Sequence, residues 1–247
     1  MRPLLRAELI KLRTTRTFVA LACIAVAISL LITVLVALLT EPTEASVLTD
    51  VFTSDTSSLF ILILAVVGIS GEWRHRTITS SLLAAPARIR FLAAKTIAFA
   101  LAGLVLSLLI SLAIAVVGFA ILSARDLPTP DLGDLAEQFA RNAMVAALLG
   151  AFGVGIGALV RNQVVAIVGV LVISFALEPL LIALAPDVGR FGPFGALPTA
   201  AAGLDPDDTG MPDVDLPAAG IAVLLLLAWI GAAFAASAAL LRHRDLE

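Results

Sequence analysis

The chain has 247 residues, is 60% hydrophobic and only 14% charged, and has a mean hydropathy of +1.07. Soluble domains average about 45–50% apolar and about 25% charged, so the composition excludes an ordinary soluble domain and points to an integral membrane protein. The net charge of −3 says nothing about partners because the charges segregate by position, and a single cysteine, Cys23, excludes an intrachain disulfide or a cysteine metal cluster.

The first fifteen or so residues are basic, with Arg2, Arg6, Lys11, Arg13 and Arg16. Leu5, Leu9 and Leu12 share a helical stripe beside Arg2, Arg6 and Arg13. This suits a helix on the membrane surface whose cationic heads reach for phosphates. The plainer alternative is an ordinary positive flank of the first span. The apolar run 18–39 that follows has 22 residues. At 1.5 Å per residue it reaches roughly 33 Å, enough for a bilayer core of roughly 30 Å and too long for a signal-peptide core. Cys23 within it reads as a small lipid- or helix-facing residue.

Six spans are expected, at about 17–40, 47–72, 94–123, 140–160, 163–185 and 217–241. Each is read as a helix because backbone groups in lipid must be satisfied internally. The second is the least obvious, since only 59–70 is continuously apolar. A helix from Val47 to Glu72 would leave Asp55 roughly 25 Å from Glu72, near the far headgroups. Charge parity supports this span. With six spans and the N-terminus in the cytosol, 13 of 16 Lys and Arg residues are inside and only Arg125, Arg141 and Arg190 are outside, as the positive-inside rule requires. Without the second span, Arg74–Lys95 would lie outside. A reporter fused at Asp131 that reads cytosolic would refute this topology. The expected fold is therefore all-α, a single polytopic domain with both termini cytosolic.

Between the second and third spans lies the basic loop 73–90. Glu72 precedes Arg76 by four residues, a favourable helical pair. Thr77 or Thr79 can cap a short helix carrying Ser80, Ser81, Leu82 and Leu83, which Pro86 ends. Leu82 and Leu83 need a place to bury: lipid, the protein itself, or a partner. In the fourth span, Gly153-Val-Gly155-Ile-Gly-Ala158 formally matches a dinucleotide-binding pattern but lacks the strand before it and the acid after it. Gly150, Gly153 and Gly157, spaced by three and four, instead favour close helix packing. Glu178, beside Pro179, is the one charge within the easily read spans. It is either structural, reaching outer water or a broken backbone, or a pathway or outer-gate residue handling substrate or protons. Beyond it, 191–203 is apolar but too short to span. It reads as a re-entrant element or an irregular surface loop. Asp205, Asp207, Asp208, Asp213 and Asp215 could loosely bind a cation on the outside, but read rather as a solvated acidic loop.

Taken together, Leu4-Leu5-Arg6-Ala7-Glu8-Leu9-Ile10-Lys11-Leu12-Arg13-Thr14, Glu72-Trp-Arg-His-Arg-Thr77-Ile78, Leu82-Leu83-Ala-Ala-Pro86 with Arg88 and Lys95, Arg161, and Arg242-His-Arg-Asp245 resemble the permease subunits of type-2 ABC exporters, the ABC-2 class. The chain departs from that pattern at His75-Arg76-Thr77, where the family commonly has a Gly. The resemblance implies that the Glu72–Leu83 segment is a coupling helix seated on a separate ATP-binding subunit, present in two copies, and that Arg2–Arg16 is the family's connecting helix. It implies a second permease subunit, which the reading takes to be identical, and export of an apolar or amphipathic compound such as a drug, antibiotic, lipid or peptide from a bacterial plasma membrane. No P-loop motif occurs, so the chain itself is expected to hold no cofactor and no metal and not to be an enzyme, with ATP and Mg on the partner. Nothing suggests nucleic-acid binding. The alternatives are a self-sufficient secondary transporter or channel, a membrane enzyme, for which no nucleophile–base pair can be placed, and a non-transporting anchor or immunity factor.

Overall fold

The computed structural model describes residues 2–74, 88–160, 162–211 and 214–243, apart from the side chains of 208, 242 and 243. The described residues are all-helical, and six helices are long and apolar enough to cross a membrane. The protein is a multi-pass membrane protein.

A short helix, α1 (Arg2–Thr14), precedes the first span, α2 (Arg16–Leu39). The second span is not one continuous helix. It is α3 (Val47–Phe52) followed, after a break, by α4 (Ser57–Arg74). In the break, the Thr56 N–H donates to Ser29 Oγ of α2 at 3.1 Å and the Ser57 N–H donates to Asp55 Oδ1 at 2.7 Å. Backbone N–H groups freed by a break in a span need partners of this kind.

The third and fourth spans begin earlier than the apolar runs alone suggest. α5 (Arg88–Ala124) has 37 residues, and α6 (Leu132–Leu159) has 28. Asp131 sets the start of α6, with Oδ1 accepting from the Gly133 N–H at 2.7 Å. The fifth span, α7 (Gln163–Leu184), is capped by Asn162, whose Oδ1 accepts from the Val164 and Val165 N–H groups. It contains a π-helical turn at Ile173–Leu177. Pro179 explains that turn. A proline in a helix cannot donate its N–H and crowds the carbonyl four residues back, and a wide turn relieves both. Two short helices, α8 (Pro186–Gly189) and α9 (Ala196–Ala202), lead to the last span, α10 (Ala219–His243).

α6 is the central helix, packed on α4, α5 and α10. Its glycines make the approach close. A Cβ at Gly150 would lie 3.1 Å from Ile61 Cγ1, one at Gly153 2.7 Å from the Leu62 carbonyl oxygen, and one at Gly157 2.6 Å from Ile69 Cγ2, while Gly155 faces Ala233 of α10. The outward faces of the other spans carry exposed apolar side chains, among them Leu31, Leu109, Leu112, Val164 and Leu224. In a membrane protein this is the lipid-facing surface, and Cys23 is exposed on it.

Candidate functional site: an ion-paired junction at the N-terminal edge

Six spans return the chain to the edge where it began, so α1, the end of α4 and the starts of α5 and α7 meet there. Arg74 Nη1 reaches Gln163 Oε1 at 3.5 Å, and Arg88 donates to the Leu241 carbonyl of α10. At the centre of this edge, Lys95 Nζ donates to Glu8 Oε2 at 2.7 Å and to Glu72 Oε1 at 3.0 Å. Lys11 Nζ donates to Glu8 Oε1 at 2.8 Å and to Glu72 Oε1 at 3.2 Å. Glu8, Glu72 and Lys95 are only 5%, 8% and 2% exposed. The Lys95 ammonium also lies 5.5 Å from the Phe91 ring centroid and 5.9 Å from that of Phe99.

The junction follows from helical geometry. Leu4, Glu8 and Leu12 are spaced by four and form one face of α1. Leu4 and Leu12 pack on the apolar cluster of Ile61, Leu64, Leu92 and Phe99, which carries Glu8 inward. Of the expected stripe of Leu5, Leu9 and Leu12, Leu12 packs on this cluster and Leu9 is 38% exposed. Arg2, Arg6 and Arg13 are exposed, whereas Lys11 is turned to the two carboxylates. Burial disfavours the Glu8 carboxylate, but the Lys95 ammonium, followed by the hydrogen bonds from Lys11 and Lys95, outweighs it and holds Glu8 below its ordinary value of 4.5. Burial likewise disfavours the Lys11 ammonium, yet the hydrogen bond to Glu8 and the charge of Glu72 raise it above 10.5.

Lys95, one of the cations that charge parity places at this edge, is buried against two acids. Glu8, at the centre of the junction, is absent from the expected site residues, and its one sequence signal is that it is the sole acid in the basic segment Arg2–Arg16. The expected Glu72–Arg76 pair, and with it Arg76, Thr77, Ser80, Ser81, Leu82 and Leu83, lies outside the described residues. Glu72 and Lys95 sit at the two roots of that segment, one on each adjoining span. A groove of about 740 Å³ opens beside the junction, lined by Lys11, Phe18, Leu64, Val67, Glu72 and Lys95 among others. It offers charge at one end and apolar wall at the other.

Glu178 serves a second polar arrangement, toward the opposite edge. Its carboxylate accepts from the N–H groups of Phe194 at 2.9 Å, Gly195 at 2.7 Å and Ala196 at 3.0 Å. These are the orphan donors at the start of α9, and an anion there is favoured by the helix end as well. The segment re-enters the bundle. Phe191 O accepts from Trp229 Nε1 at 3.2 Å, ten residues or roughly 15 Å into α10, and the Phe194 ring packs tilted against Phe152 at 5.5 Å between centroids. Gly203, at φ +68°, closes α9 in the left-handed conformation, and the Leu204 N–H bonds back to the Thr199 carbonyl at 3.1 Å.

Among the described residues, no group of three or more His, Cys, Asp or Glu is placed to hold a metal ion. No family model matches the sequence, and no curated protein matches it significantly.

Proposed function

We propose that this chain is the membrane-spanning subunit of an ATP-driven exporter of the ABC-2 class in a bacterial plasma membrane. It works as a pair of such subunits on two copies of a separate ATPase, and it exports an apolar or amphipathic compound by alternating access. The observation that carries the reading is the junction of Glu8, Lys11, Glu72 and Lys95. It ties α1 to both roots of the basic loop 73–90, the segment that resembles a coupling helix. A displacement of that loop by an ATPase would be passed to α1, α4 and α5 together, because all three share buried charges that separate only at a cost. Transmission of this kind requires that the loop contact its partner differently in the two states.

The test is association. The double substitution Leu82→Asp with Leu83→Asp is expected to abolish co-purification with an ATP-binding protein encoded beside this chain, while membrane insertion is unchanged. Co-purification at wild-type levels would refute the docking role.

A self-sufficient secondary transporter is favoured by one observation. Asp55 sits at the break in the second span and forms no ion pair among the described residues. Substrate flux into vesicles holding this chain alone would select that reading.

A further inference from the structure

The break in the second span leaves Asp55 in an unusual setting. Its Oδ1 accepts from the Ser57 N–H, and its Oδ2 accepts from Ser107 Oγ and, at 3.4 Å, from Ser111 Oγ of α5. These are all neutral donors. A carboxylate near the end of a span opposite α1, held by neutral donors and with no compensating charge among the described residues, is a candidate binding site.

Beside it is a chamber of about 190 Å³ lined by Thr53, Asp55, Ser57, Asn142 and Thr199, among others. One of its polar groups has unmet hydrogen-bonding capacity: Asn142 is 8% exposed, yet its Nδ2 has no partner among the described residues, and Ser57, 1% exposed, turns a hydroxyl with free lone pairs to the same space. Asn142 Oδ1 is already taken by Gln138 Nε2 at 3.0 Å, so the amide presents its N–H groups. Buried polar atoms of this kind call for water or a ligand, and the volume suits about six waters at roughly 30 Å³ each.

The chamber is not isolated. A second cavity of about 440 Å³, lined by Asp50, Thr53, Ser54, Asp205 and Thr209 among others, shares Thr53 and Leu204 with it. It lies toward the edge opposite α1. Among the described residues no Lys or Arg lines either cavity, although Arg125 Nη1 holds the Thr40 carbonyl at the rim of the second at 3.0 Å and Arg141, paired with Glu137, lies against Gly203 beside Leu204. Asp50 and Asp205 flank the approach to Asp55 and offset these cations.

We infer that the chamber binds a small, partly hydrated monovalent cation, with Asp55 supplying the charge, Ser57 Oγ supplying a lone pair, and Asn142 Nδ2 donating to a water of the ion's shell. Oxygen donors select a hard cation. A single carboxylate in the chamber balances one positive charge, whereas a divalent ion takes several acidic ligands. The site does not depend on the transport reading above.

The test uses the full chain, purified in lipid nanodiscs. Thermal unfolding is followed as NaCl or KCl replaces N-methylglucamine chloride at constant ionic strength, the organic cation being too bulky for the chamber. A ligand that binds only the folded state raises the melting temperature as it saturates, and the expected result is a saturable rise with Na⁺ or K⁺. Asp55→Asn should abolish the response. Asn142→Leu removes the unpartnered amide, narrows the chamber and leaves the carboxylate intact, and it should raise the half-saturating concentration at least about tenfold. Should Asp55→Asn fail to fold, Asn142→Leu decides. Equal melting temperatures in all three salts overturn the inference, as does a wild-type response in Asn142→Leu.

Discussion

Lys95→Met is the sharpest test of the junction. The methionine keeps most of the side chain's length and apolar packing against Phe91 and Phe99 but removes the ammonium. It leaves the Glu8 and Glu72 carboxylates together in a site where both residues are less than one-tenth exposed. Lys11 remains as a counter-charge, but its side chain is 48% exposed, so solvent screens much of what it offers. Breaking a buried pair from one side typically costs about 3–5 kcal/mol, because the remaining charge is uncompensated. For a chain of this size that corresponds to a fall in melting temperature of roughly 6–20 °C. The assay is thermal unfolding of the purified chain in detergent, with Glu8→Gln added to Lys95→Met as the second arm. The double variant should recover part of the loss, since it removes one of the stranded carboxylates. A titration gives an independent check. Glu8 is held below 4.5, so its contribution is fully present above that pH and is lost as the pH falls through its folded value. The gap between wild type and Glu8→Gln should therefore stay level above pH 4.5 and close below it. Lys11 has the opposite sign. Its contribution is present below 10.5 and is lost as the pH rises through its raised value. A Lys95→Met protein that melts within a degree or so of wild type, or a gap that does not narrow in acid, would refute the reasoning.

Two further outcomes probe the rest of the bundle. Glu178→Gln replaces one acceptor oxygen with an amide donor, so at least one of the Phe194, Gly195 and Ala196 N–H groups loses its partner. The expected cost is about 1–3 kcal/mol, read as faster hydrogen exchange confined to 191–203. Unchanged exchange there would remove the anchoring role, while a loss of transport or of its pH dependence at normal protein levels would favour the pathway role. Gly157→Ala places a Cβ 2.6 Å from Ile69 Cγ2 and 2.9 Å from Val66 Cα, whereas Gly169→Ala meets nothing within 4 Å. The first should destabilise by about 1–3 kcal/mol, whereas the second should be neutral or stabilise by up to about 1 kcal/mol because alanine is the better helix former, as unfolding in detergent would show.

Much of the bundle was legible because a bilayer demands long apolar runs, and 18–39 or 218–241 can be little else. Gly150, Gly153 and Gly157 were legible as a packing face because their spacing alone puts them on one side of a helix. The ends of the spans were less so. Arg88–Arg90 and Leu132–Glu137 are polar enough to resemble loops, yet α5 and α6 continue through them, since a helix beyond the hydrocarbon needs only a cap such as Asp131 and water. The break at Thr53–Thr56 was hidden because Thr and Ser are tolerated in helices. What opens the chain there is an acceptor on another helix, Ser29, and the capping geometry of Asp55.

The sequence by itself determined that this is a multi-pass helical membrane protein and where its cations gather, because hydropathy and the distribution of Lys and Arg are properties of the chain in order. Only the tertiary structure decided what the charges do. Lys95 is 87 residues from Glu8 and 23 from Glu72, and Glu178 is 16 to 18 residues from the backbone groups that it caps. No local pattern signals such pairings. They arise because a charge carried into a low-dielectric interior must find its partner in space, and folding sets which partners are near.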